Sequence, residues 1–177
     1  MNKLNPLILL LSLGLFTSFS VSAVEPKAQT KKAMVAKVKT NPLVYDRTVS
    51  AGMNEVYNSI FTALENNSYY VIFEANIGKN LSHFAKRWGS DYNQNKLSSV
   101  RSMIFCSAWY ANKVSNLDPS MLALCPLHIT LYTKDNKTHV LFVRPSKVAE
   151  ASKAHKVAKE LEDDVINTIE VAISNLS

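Results

Sequence analysis

The chain has 177 residues, 47% of them hydrophobic and 19% charged, and its 20 Lys and Arg against 14 Asp and Glu give a formal net charge of +6. Once the N-terminal segment described next is set aside, that length supports one hydrophobic core and excludes a pair of ordinary domains. Five lysines crowd into residues 24–40, so no basic stripe of the kind nucleic acid requires remains elsewhere, and four glycines are too few for a phosphate-cradling loop.

Residues 1–23 read as a secretory signal peptide. Lys3 is its positive start, Leu7 to Phe19 its compact apolar run, and Val21-Ser22-Ala23 a small-residue cleavage site that would leave Val24 first in the mature chain. The apolar run falls short of the roughly 20 residues that a membrane-crossing helix needs, so no transmembrane anchor is expected in the mature form. No Cys stands at the cleavage point to take a lipid. The expected address is the periplasm or the extracellular space. Residues 24–42 read as a solvated basic linker, with Lys27, Lys31, Lys32, Lys37 and Lys39 opposed only by Glu25; an arm for anionic lipid or polymer is the other reading.

The folded domain is expected over residues 43–177. Leu43 to Val49 has strand character, and Met53, Val56, Tyr57, Ile60 and Leu64 recur at helical spacing up to the turn residues Asn66-Asn67-Ser68. The unbroken run Tyr69 to Phe73 suits a strand covered on both faces. Leu81, Phe84, Ala85 and Trp88 suggest a short helix, and the polar stretch Gly89 to Ser99 a loop that could close as a lid. Val100 to Phe105 returns to strand, and Ser107 to Leu117 reads as a helix halted before Asp118-Pro119.

Leu127 to Thr133 and Thr138 to Arg144 form a hairpin, because Asp135-Asn136 tolerates the positive φ of a tight turn and would set Tyr132 opposite His139. Ser146 can cap a last helix, whose core stripe is Ala154, Ala158, Leu161, Val165, Ile169, Ala172 and Leu176. Glu160, Glu162, Asp163 and Asp164 fall between these positions and read as its solvated face. The order βαβαβαββα predicts an α+β domain, a mixed β-sheet packed with helices.

The segments Ile104-Phe105-Cys106-Ser107, Asp118-Pro119, Leu122-Ala123-Leu124-Cys125-Pro126 and Ile129-Thr130-Leu131-Tyr132 follow one another at telling distances. Together they resemble the central signature of the bacterial family called domain of unknown function 302, in which a strand ends in Cys, a helix follows, and a Leu-Leu-Pro-Cys stretch opens the next strand. The resemblance covers roughly Tyr45 to Ile173. Family members often have Cys-Asn-Pro where this chain has Cys106-Ser107-Ala108, and their second cysteine usually follows the proline that Cys125 here precedes. The resemblance implies a compact α/β domain that tends to form a homodimer, and it implies no particular activity.

Cys106 is the leading candidate for chemistry, since the free N–H groups at a helix start favour a thiolate. With Cys125 it could form a disulfide; buried inert thiols and a reactive or metal-binding sulfur are the other states. Two parallel strands would hold the two cysteines at opposite edges of the sheet, beyond the reach of about 7 Å between Cα atoms that a disulfide allows. A soft-metal site would draw on Cys106, Cys125 and His128, with Met103 or Met121, because sulfur and imidazole favour Cu(I) or Zn. His139 falls too far along its strand to join them. No Cys-x-x-Cys-His motif is present for covalent haem, which leaves only noncovalent haem open. His83 and His155 read as surface or boundary residues.

Trp88, Tyr92, Trp109 and Tyr110 flank the loop and the Cys106 helix, and could line a pocket for a small apolar or aromatic ligand beside Cys106; packing into the core is the other reading. No nucleophile elbow or metalloprotease motif occurs, and no catalytic residue is assigned. Three functions remain in view: an exported non-catalytic module binding a small ligand or an exported partner protein, a periplasmic redox protein centred on Cys106 that depends on thiol, Cu, Zn or noncovalent haem, and a structural envelope component tethered through the basic tail.

Overall fold

The computed structural model describes residues 41–176. The expected signal peptide, and the linker up to residue 40, lie outside the described residues. The chain runs through β1 (Val44–Val49), α1 (Met53–Asn66), β2 (Tyr70–Ala75), α2 (Ile77–Ser82), α3 (Ala85–Trp88), β3 (Ser99–Cys106), α4 (Ala108–Leu117), β4 (Leu127–Lys134), β5 (Lys137–Val143), α5 (Pro145–Val148) and α6 (His155–Ile173). Short 3-10 turns occupy Gly89–Asp91 and Pro119–Leu124. This is the α+β order expected, with the second and last helices each broken in two.

The five strands form one sheet in the order β1-β5-β4-β3-β2, and every neighbouring pair is antiparallel. The expectation of a mixed sheet is corrected here, and helix length explains why. A parallel connection needs a helix that carries the chain back along the strand. Over its ten residues α4 rises about 15 Å against about 24 Å for β3, and α2 and α3 are shorter still. Only α1 makes a full crossing, from one edge of the sheet to the other.

One face of the sheet carries the core. Met103 and Phe105 of β3, Leu127, Ile129 and Leu131 of β4, and Val140 and Phe142 of β5 alternate at period two and are all buried. Val56, Tyr57, Ile60 and Leu64 of α1 and Leu161, Val165, Ile169 and Ile173 of α6 close over them at helical spacing. Positions of the opposite phase, among them His128, Thr130, Tyr132, His139 and Leu141, are half-buried or exposed. The hairpin turns at Asp135 and Asn136 with φ of 50° and 58°, and Tyr132 pairs with His139, their rings stacked 4.4 Å apart.

Two further expectations change. β2 is an edge strand paired with β3 alone and disrupted by a register shift between Val71 and Phe73, so Tyr70, Ile72 and Phe73 are exposed rather than covered. Ser146 does not cap a long helix: its N–H and hydroxyl both donate to the Glu162 carboxylate, which folds α5 back against α6. Glu162 is thus buried, and Asp164 accepts from the Tyr69 hydroxyl at 2.6 Å, so the acidic run of α6 is only partly a solvated face.

Candidate functional site

Phe105 pairs with Leu127, so the chain leaves β3 at Cys106 and enters β4 just past Cys125-Pro126 at the same end of the sheet. The intervening α4 and the Pro119–Leu124 turn therefore form an excursion whose base is marked by the two cysteines. Antiparallel pairing removes the separation that parallel strands would impose. Both cysteines are half-buried free thiols, with no disulfide between them. Burial, and then the adjacent Cys106 sulfur, push the Cys125 thiol above its ordinary value. Together they line a narrow cavity of about 10 Å³, walled by Tyr110 and Val114 of α4, Met121 of the 3-10 turn and Leu161 of α6.

Tyr110 stacks on Tyr69 with ring centroids 6.3 Å apart, and burial followed by the Asp164 charge raises its hydroxyl. Trp109, about 100° around α4 from Tyr110, is 66% exposed and lies 5.5 Å from the Lys113 ammonium instead of facing the cavity. His128 is exposed on the opposite phase of β4 from buried Leu127. Among the described residues no group of three or more His, Cys, Asp and Glu could hold a metal ion. The Cys106, Cys125 and His128 set is therefore not assembled, because strand alternation turns His128 away. Met103 is buried in the main core, whereas Met121 shares the cavity with the thiols.

The other two aromatic candidates belong to a different place. Trp88 and Tyr92 line an open cleft of about 690 Å³ between α2, the loop that follows α3, and the Ser99-Val100 start of β3. That is the end of β3 remote from Cys106, about 20 Å away at strand rise, so the loop does not close over the thiols. Its shape is set by turns: Gly89, Asn93 and Lys96 all have positive φ, and the Asn93 side chain ties Leu97 through both its N–H and its carbonyl at 2.8 Å. Gly78 lets α2 approach β3 closely, since a Cβ there would meet the Val100 nitrogen at 3.1 Å.

Amides and hydroxyls, including Asn76, Gln94, Asn95 and Ser98, are interspersed in the cleft wall with the apolar Leu81, Leu97 and Val100, and Lys79 and Asp91 are its single cation and single anion. The polar density between Ser90 and Ser99 is legible in the sequence, but nothing there brings Asn76 and Lys79 to the same wall. No described helix is long and apolar enough to cross a membrane.

A family model described as "Domain of unknown function DUF302" matches residues 45–176. No curated protein matches the chain. Among solved structures, it is similar to the uncharacterized conserved protein DUF302 from Bacillus stearothermophilus, with a TM-score of 0.60 and 17% sequence identity over 77% of this chain and 100% of that one. At that identity the likeness establishes the fold alone.

Proposed function

This chain belongs to the DUF302 family, whose common fold leaves function to the side chains placed upon it, and from that premise we propose that it is an exported, non-catalytic module that binds a small neutral ligand. The observation that carries the reading is the Trp88-Tyr92 cleft, whose volume lies within the range of about 300–1,000 Å³ usual for small-molecule sites. Two aromatic rings offer apolar platforms, and amide and hydroxyl groups supply both donors and acceptors. One lysine and one aspartate give no net charge, which suits an uncharged, hydroxyl-rich ligand of the saccharide class. The signal pattern of residues 1–23 supports export.

Trp88 is a built-in reporter. With Trp109→Phe as background, its fluorescence is expected to change saturably when neutral mono- and oligosaccharides, including N-acetylated ones, are titrated in. Trp88→Ala should lose binding measured by calorimetry, and Gly78→Ala should weaken it by pushing α2 off β3. Absence of a saturable signal across such a panel in the folded protein would sink the reading. A homodimer is favoured by a separate observation, the exposed aromatic edge of β2.

A further inference from the structure

Three sulfur-bearing side chains line the small cavity at the base of the α4 excursion, and each arrives from a different element. Cys106 ends β3, Cys125 precedes β4, and Met121 sits in the 3-10 turn between them. We propose that this cavity is a binding site for a single Cu(I) ion, held by the Cys106 and Cys125 thiolates with the Met121 thioether as third ligand.

Ligand chemistry selects the ion. Thiolate and thioether donors are soft and favour Cu(I) over hard cations. The remaining wall is contributed by such residues as Tyr110, Val114 and Leu161, with no carboxylate for calcium or magnesium. His128 lies on the opposite phase of β4, so the imidazole that would help complete a tetrahedral zinc site is missing. Three-coordinate sulfur is sufficient for Cu(I), and space of about 10 Å³ accommodates one atom-sized guest and no hydrated ion or cluster.

Position supports the same conclusion. Antiparallel pairing of Phe105 with Leu127 fixes both cysteines at one end of the sheet without the ion, so little ordering is required when it binds. On binding, each S–H bond is replaced by an S–Cu bond and its proton passes to solvent. Copper remains Cu(I) and no electron is transferred. A disulfide between the same two sulfurs would exclude the ion, so the site exists only in the reduced protein.

The test starts from fully reduced protein under anaerobic conditions, titrated with Cu(I) in competition with bathocuproine disulfonate. One Cu(I) per chain should be withheld from the chelator, with sulfur-only coordination in X-ray absorption. Cys106→Ser and Cys125→Ser should each lose the ion while circular dichroism stays native. Met121→Leu should keep the stoichiometry, because the two thiolates remain, but weaken affinity at least tenfold, since a ligand is lost where removing even an outer-shell partner typically costs about 10- to 100-fold. His128→Ala should change nothing. Should a cysteine variant fail to fold, Met121→Leu and the absorption spectrum decide alone. Failure of the folded, reduced protein to withhold copper, retention of copper by Cys125→Ser, or nitrogen in the coordination shell would overturn the proposal.

Discussion

Glu162 joins three pieces of the C-terminal third of the chain. Its carboxylate, 2% exposed, takes the Arg144 guanidinium at 2.7 Å, the Ser146 N–H at 3.1 Å, and the Ser146 hydroxyl. Burial alone would raise its pKa. The Ser146 hydroxyl, the Arg144 guanidinium and the Ser146 N–H outweigh that and hold it below the ordinary 4.5. A carboxyl whose folded pKa lies below its unfolded one adds stability above the unfolded value and loses it as the pH falls through the folded value. Glu162→Gln should therefore cost about 3 kcal/mol near neutral pH, toward the low end for a broken buried pair because Arg144 stays partly hydrated. Its thermal midpoint should also fall less steeply than that of the unsubstituted chain below about pH 4.5. Equal acid sensitivity in the two proteins would refute the assignment. The sequence hinted at this role only by position: Glu162 stands four residues after Ala158 and three before Val165, on the margin of the buried stripe. Its partners lie 16 and 18 residues upstream, beyond what a local pattern reveals.

Elements were more legible than their neighbours. Short apolar, β-branched and aromatic runs locate all five strands, and 3.6-residue spacings locate the two long helices, because burial leaves a direct imprint on composition. What an unbroken apolar run cannot disclose is whether a strand is covered. Tyr69 to Phe73 reads as central, yet β2 lies at the edge, where only Tyr69 turns fully inward, its hydroxyl donating to Asp164. The outward residues Tyr70, Ile72 and Phe73 stand 58%, 61% and 62% exposed along the open edge of the sheet. Edges of that kind invite pairing with another chain, and charge is the usual protection. Phe73→Lys should leave stability within about 0.5 kcal/mol, as surface changes do, while shifting the chain from dimer to monomer in sedimentation velocity. An unsubstituted chain that sediments as a monomer at high concentration would remove the homodimer reading.

At the scale of the whole molecule, α1 and α6 cover one face of a five-stranded antiparallel sheet, and β3 carries a candidate site at each end. The aromatic residues expected around one pocket are divided between these two ends. Sequence proximity of Trp88 and Tyr92 to the strand gave no sign of the direction in which the chain would enter it. The buried core lies within residues 45–173, so this domain should unfold in a single cooperative transition. Expressed with its first 23 residues, it should reach the periplasm or medium with Val24 as its first residue, which intact mass would show; retention of Met1 in the exported fraction would contradict the signal assignment. The antiparallel return at Phe105 and Leu127 has an evolutionary consequence. Residues 107–124 depart from the sheet and rejoin it at one point, and doubling the length of such a loop adds only about 0.6 kcal/mol of closure entropy. That insert can be lengthened among descendants at its exposed Pro119-Ser120 turn while the registers of β3 and β4 stay as they are, provided Tyr110 keeps its stack on Tyr69 and Val114 its packing against Val157.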